Sequence, residues 1–355
     1  MKFRFIDLFA GIGGIRLGFE SVGGKCVFSS EWDKYAQDTY EANFGERPQG
    51  DITQIKLETI PEHDILLAGF PCQAFSICGD RQGFLDTRGT LFFNIEEILK
   101  TKRPYAFLLE NVKNLRSHDR GQTFKTIIER LEALDYHVHH TILNSLDFGI
   151  PQKRERTIIV GFRDNIKFSF PNPINIKPNL STILENDCDV DSKYFVSPEI
   201  RKKRILKVKP NYPIPSIWHE NKSGNISALE YSCALRAGAS YNYLLVNGIR
   251  RLTPKELLRL QGFPDNFKIV VPYTQIRKQT GNSVTVPVIK TVAQKMITSI
   301  ELKSPAAPEC IQQVDCETKR SCWFPTKSYC RGERCFLTES LSRLQNQYKS
   351  SSRSY

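Results

Sequence analysis

The run 64–68 (DILLA) is apolar and stops abruptly at Gly69-Phe70-Pro71-Cys72. A short continuous apolar run bounded by turn residues reads as a strand buried on both faces, as in a parallel sheet. Its carboxyl end then lies at the sheet edge, where open α/β folds place their ligands. Pro71 fixes one φ angle and removes a backbone donor, so Cys72 is presented by a stiff turn. Beyond it Gly79, Gly83 and Gly89 alternate with Asp80, Arg81, Asp86 and Arg88 in a polar, glycine-punctuated loop. A polar loop that carries two arginines and is rooted on a cysteine suggests a lid that closes over an anionic substrate. An inert buried thiol is the plainer reading of a lone cysteine. The neighbouring segments decide against it.

The run 3–9 (FRFIDLF) is a strand that passes through Ala10-Gly11-Ile12-Gly13-Gly14 into a helix over 15–22. Strand, glycine turn and helix aim backbone N–H groups and a helix N-terminus at a ligand. A second strand, 25–30, ends in Glu31-Trp32. Glu31 lies about twenty residues past the first glycine, where an acid on the next strand reaches ribose hydroxyls in nucleotide-binding βαβ units. Trp32 can stack on an adenine, and Asp51-Ile52 at the next turn can meet its amino group and one ring face. Strand 105–109 ends in Glu110, which brings a second chemical group to the edge that carries Cys72. Helices are expected over 91–102 and 124–134, and a histidine-rich strand over 136–143. His137, His139 and His140 have no Cys or acidic partner at ligand spacing, so no metal site is expected there. The turn 149–156 (GIPQKRER) is strongly basic; its Gln152, Arg154 and Arg156 can orient a base or its phosphate.

From about residue 172 prolines break every long periodic run, and 201–209 (RKKRILKVK) is dense positive charge. This stretch reads as a separate, irregular or β domain with a basic face. A hairpin is expected around Asn247-Gly248, helix over 251–263, and 275–282 as the approach to a helix at 284–300. The formal charge of the chain, +12, favours a polyanionic partner. No run is apolar enough to span a bilayer and no leader pattern precedes the first strand. An intracellular, reducing location is therefore expected, with free thiols. Five of the ten cysteines, Cys310, Cys316, Cys322, Cys330 and Cys335, fall in the polar tail without the spacing of a zinc knuckle.

Taken in order, these segments resemble the DNA (cytosine-5)-methyltransferases, in particular those of bacterial type II restriction–modification systems. DLFAGIGG from Asp7, EWD at Glu31 and GDIT at Gly50 are similar to the family's cofactor motifs. GFPCQAFS from Gly69 resembles its nucleophile motif, ENV at Glu110 its glutamate motif and GIPQKRER its arginine motif. RRLTPKELLRLQGFP from Arg250 and QIRKQTGNSV from Gln275 resemble its last two. The resemblance implies a doubly wound, Rossmann-like α/β sheet that uses S-adenosyl-L-methionine, with a smaller target-recognition domain. It divides the chain into a catalytic domain (1–176), a recognition domain and hinge (177–281), a returning C-terminal helix (282–303) and a tail of unknown role (304–355).

Carried over by motif, Cys72 is the nucleophile, Glu110 holds the N3 side of the base, Arg154 contacts its O2 and Arg156 fixes the site. The cofactor set is Phe9, Gly11, Glu31, Trp32, Asp51, Ile52, Pro71, Asn282, Ser283 and Val284. DNA contacts are expected from Gln73, Ser76 and Arg88 on the closing loop and from Arg201, Lys202, Lys203 and Arg204. One departure stands out: where the family carries a Thr-Leu pair against the flipped nucleotide, this chain has Ala234-Leu235. The implied partner is double-stranded DNA, met by a cytoplasmic, nucleoid-associated monomer that pairs functionally with a restriction endonuclease without a stable complex. An RNA cytosine-5 methyltransferase on the same scaffold, or a non-catalytic DNA-binding regulator, are the competing readings.

Overall fold

The alternation of apolar runs and helical periods in the first half of the chain becomes a six-stranded sheet. The computed structural model describes residues 2–71, 90–174 and 176–303. β1 (Phe3–Leu8) leads to α1 (Gly14–Glu20), β2 (Gly24–Ser30) to α2 (Lys34–Phe44), β3 (Ile65–Gly69) precedes α3 (Thr90–Lys102), and β4 (Ala106–Val112) precedes α4 (Gln122–Glu132). β5 (His137–Asn144), β6 (Gln152–Lys153) and β7 (Glu155–Phe162) follow. Strand order is β2-β1-β3-β4-β7-β5. The first four strands are parallel, and β7 runs antiparallel to both its neighbours. The reversal has a simple cause: segment 145–154 is too short to hold the crossover that parallel neighbours require.

Helices cover both faces, as a doubly wound sheet requires. Phe3 and Phe5 of β1 pack with Ile15 and Phe19 of α1 on one face. Ile6 and Leu8 point to the other, where Phe92 and Ile95 of α3 and Ile127 and Leu131 of α4 lie. Alternate residues of β1 thus feed two separate cores.

The rest of the chain adds α5 (Pro198–Ile205), β8 (Ile217–Glu220), β9 (Ile226–Leu229), β10 (Ser232–Cys233), β11 (Leu244–Val246), α6 (Pro254–Arg259), α7 (Tyr273–Asn282) and α8 (Val286–Lys303). β11, β8 and β9 form a small antiparallel sheet over Trp218, Ile226 and Leu245. β10 instead pairs with β6, and Leu235, Leu257, Phe263 and Ile276 share a core with Ile12 of the glycine turn. α8 returns to the first face through Val288, Ile289, Val292 and Met296. It lies so close to α1 that a Cβ on Gly18 would stand 2.6 Å from Ile289 Cγ2.

Two sequence expectations need correction. The segment 275–282 is not an approach but part of a helix, α7, which begins after Pro272 and buries Ile276, Gln279 and Thr280. The helix expected over 251–263 is confined to α6, started by a Thr253/Glu256 capping box with Pro254 behind it and ended by Gly262 at φ +72°. The Asn247-Gly248 turn forms, with both φ values positive at 48° and 70°, as a type I′ turn requires. Its ladder is a single bridge, Val246 to Arg250, while β11 also pairs with β8.

Candidate active site

Register aligns the carboxyl ends of the parallel strands. Leu8 stands beside Ala68, Gly69 beside Glu110, and Val112 beside Arg156. The glycine turn, the Phe70-Pro71 exit of β3 and Glu110 therefore arrive at one edge. Asn111 secures this: its Nδ2 donates to the Phe70 carbonyl at 3.0 Å, holding the chain just before Pro71. Sequence reading passed over Asn111 as part of a motif string; its signal was its place next to Glu110. Cys72, Gln73, Ser76 and Arg88 lie outside the described residues.

Glu110 is 8% exposed and its Oε1 sits 3.0 Å from Arg156 Nε. Burial pushes its carboxyl above the ordinary glutamate range, while Arg156 and Arg154 pull it back. The balance is raised, so this carboxyl takes up a proton more readily than a free glutamate. Arg156 also donates Nη1 to the Glu155 carbonyl at 2.9 Å, which fixes its fork beside Glu110.

Arg154 lies behind the pair and is held by backbone. It is 2% exposed, with Nη1 donating to Leu235 O at 3.1 Å and Nη2 to Gly281 O at 3.1 Å and to Ser283 O. Its Nη1 and Nη2 reach three backbone carbonyls and clamp these segments together, while its Nε has no partner among the described residues; Arg156 is the arginine that reaches Glu110. Arg154 lies between β6 and β7, facing the end of α7.

The cofactor side is built around Glu31. One carboxylate oxygen accepts from Gly11 N at 2.8 Å and the other from Asp33 N at 2.8 Å. Glu31 thereby locks the glycine turn to the end of β2, and burial raises its carboxyl above the ordinary range. Phe9, at φ +56°, holds a left-handed backbone, a strain of about 1–3 kcal/mol that recurs at ligand sites. Trp32 is 75% exposed. Gln49 bridges Ser30 and brings Asp51 and Ile52 alongside; Asp51 accepts from Thr53 N at 2.9 Å and Ile52 is buried. Asn282 is exposed while Ser283 and Val284 are buried against the start of α1, where a Cβ on Gly14 would lie 2.9 Å from each. Lys278 holds Asp33 at 2.5 Å and Gln279 holds Tyr35 O at 2.8 Å, so α7 is tied to α2 across this edge.

Behind the turn lies Asp7, 0% exposed, with neither carboxylate oxygen hydrogen-bonded among the described residues. Burial pushes its pKa up to about 7, opposed by Arg16 and reinforced by Glu31. Of the basic run on α5, Arg201, Lys202 and Lys203 are exposed. Arg204 is not: it is 4% exposed, with Nη2 donating to Glu220 at 2.6 Å and to the Asn242 carbonyl. Its expected DNA contact is corrected to a strut between α5 and the small sheet.

A family model, "C-5 cytosine-specific DNA methylase", matches residues 3–298. The type II methyltransferase M.HaeII of Haemophilus aegyptius is 62% identical over 311 residues, covering 88% of this chain and 98% of that protein. M.NgoBI of Neisseria gonorrhoeae is 65% identical over 288 residues, covering 81% and 91%. Among solved structures, DNMT2 of Spodoptera frugiperda superposes with a TM-score of 0.65 at 21% identity, over 83% of this chain and 99% of that one. That last likeness is one of fold.

Proposed function

The chain belongs to the C-5 cytosine-specific DNA methylase family and is a DNA (cytosine-5)-methyltransferase; from that premise we propose that it methylates a cytosine flipped out of duplex DNA through a covalent bond between Cys72 and C6. The observation that supports this most is the buried Glu110–Arg156 pair, 3.0 Å apart, at the sheet edge from which the chain continues to Cys72.

C5 of cytosine attacks a methyl group only after the ring loses aromaticity. Addition of the Cys72 thiolate to C6 forms a C–S bond, breaks the 5,6 double bond and moves its electron pair toward C5. Glu110 in its protonated form, or sharing a proton with the base, hydrogen-bonds N3 and stabilises the resulting enamine. Arg156 orients Glu110 and meets the O2 side of the ring. S-adenosyl-L-methionine, when bound, supplies an electrophilic methyl group for C5. Loss of the C5 proton then restores the double bond and expels the Cys72 thiolate. A stacked cytosine cannot present C6, so the base leaves the helix at a cost of a few kcal/mol.

The residues of the cofactor edge fit that cofactor. A buried acid at the end of β2 suits ribose hydroxyls, the open indole of Trp32 and the buried Ile52 suit an adenine, and Asp51 suits its amino group. Phe9, Gly11, Pro71, Asn282, Ser283 and Val284 complete the set. Arg201, Lys202 and Lys203, with Gln73, Ser76 and Arg88, serve as DNA contacts. We place the enzyme, as a monomer in the bacterial cytoplasm, in the role of protecting host DNA from a cognate restriction endonuclease. Among the described residues no helix is long and apolar enough to cross a membrane.

Bisulfite sequencing of DNA from an expressing host tests the reading. It is expected to show full conversion resistance at one cytosine of a short recurring motif. Cys72→Ser is expected to abolish that signal while motif-specific DNA binding persists; resistance that survives the substitution would remove Cys72 from the chemistry.

A further inference from the structure

Residues 232–237 are held by the basic turn at successive polar points. Ser232 N donates to Pro151 O at 2.8 Å, and Ser232 pairs with Gln152 between β10 and β6. Gln152 Oε1 accepts from Leu235 N at 2.9 Å, and Arg154 Nη1 donates to Leu235 O at 3.1 Å. Both backbone polar groups of Leu235 are thus taken by side chains two residues apart.

The Gln152 amide reaches a third segment. Its Nε2 donates to Leu260 O at 2.6 Å and lies 3.3 Å from Gln261 Oε1. Gln261 in turn donates to Thr280 O at 2.5 Å. Gln152, Gln261 and Thr280 are each 0% exposed. On the opposite side, a Cβ on Gly281 would stand 2.3 Å from Ala237 N, so the backbone at 236–237 rests directly on the end of α7.

Such an arrangement costs something to build: three buried side chains must each find partners, and any one left unmatched is penalised. Its geometric product is a fixed distance between segment 234–237 and Arg156, which follows Gln152 by four residues on the same turn. We infer that Gln152 is a positioning residue that sets the register between segment 234–237, the place at which the family's nucleotide-contacting pair aligns, and the Glu110–Arg156 pocket, so that recognition of the target and seating of the base are geometrically coupled. This inference rests on the function proposed above. Only an amide suits the place: Oε1 must accept from Leu235 while Nε2 donates to Leu260.

The test uses the full chain, duplex oligonucleotides carrying the methylated motif, and the same duplexes with one flanking base pair of the motif changed. Gln152→Met keeps the volume and removes the hydrogen bonds. It is expected to raise KM for the cognate duplex about 10-fold or more and to lower discrimination against the changed duplex by a similar factor. Affinity for S-adenosyl-L-methionine, measured by calorimetry, stays within about twofold on this reasoning. A variant with unchanged KM and unchanged discrimination overturns the inference, as does a drop in kcat alone, which marks a merely structural role. Should Gln152→Met fail to fold, Gly281→Ala, which presses on Ala237 from the other side, is read for the same two ratios. A wild-type chain that methylates no duplex overturns the proposed function instead.

Discussion

Replacing Arg154 by Met separates two roles that the sequence alone confounds. If Arg154 touched the base, the variant would fold as stably as the parent and lose turnover. The structure puts its guanidinium against the carbonyls of Leu235, Gly281 and Ser283. Removing the partner of a buried acceptor costs about 1–3 kcal/mol, so three carbonyls give roughly 3–9 kcal/mol. Against this stands relief from burying a charge whose donors meet carbonyls rather than a carboxylate, worth several kcal/mol. The net expectation is a loss of about 3 kcal/mol. A unit of some 300 residues has an unfolding entropy near 0.6 kcal/mol/K, so the melting temperature should fall by about 5 °C. Differential scanning calorimetry at neutral pH measures this directly. A variant that melts within about 1 °C of the parent yet turns over no DNA would refute the clamp and return Arg154 to the base.

Glu110→Gln keeps the shape but cannot pass a proton, so kcat should drop about 10²- to 10⁴-fold with cofactor affinity intact; single-turnover kinetics with normal rates would remove Glu110 from the mechanism. Asp7, pushed up to about 7, binds a proton in the fold at pH values where the unfolded carboxyl does not. Its contribution to stability is therefore present below about pH 4 and is lost as pH rises through 7. Asp7→Asn should stabilise the protein by about 1 kcal/mol or more at pH 8 and by less at pH 5; equal denaturant midpoints shifts at both pH values would contradict the burial argument. Lys202→Ala with Lys203→Ala should flatten the salt dependence of DNA binding by about two units of slope with little change in melting, whereas Arg204→Ala should lower the melting temperature; the reverse pattern would sink the assignment of exposed and buried charges along α5.

Much of the site was legible because its chemistry is tied to strand ends. An apolar run that stops at a glycine, a proline or an acid marks the edge of a parallel sheet, so that Glu110 and Gly69 were expected at one edge; the register that sets them side by side belongs to the structure. The spacing between Gly11 and Glu31 brought the two to one edge, and the structure adds that the Glu31 carboxylate accepts from Gly11 N at 2.8 Å. The extent of α6 and the helical state of 273–282 were harder. Both are decided by packing on the shared core of Leu257, Phe263 and Ile276, which overrides local pattern.

The family and the doubly wound α/β class follow from the sequence by itself, because an ordered set of short motifs, each tied to a strand end or a turn, specifies them. Which of two arginines on one turn faces Glu110, and which of four basic residues on α5 faces solvent, follow only from the tertiary structure. Charge and composition are the same for Arg154 and Arg156, and for Arg204 and Arg201. What separates them is where carbonyls and carboxylates from distant segments converge, and a desolvated guanidinium is tolerated only where those partners are already in place.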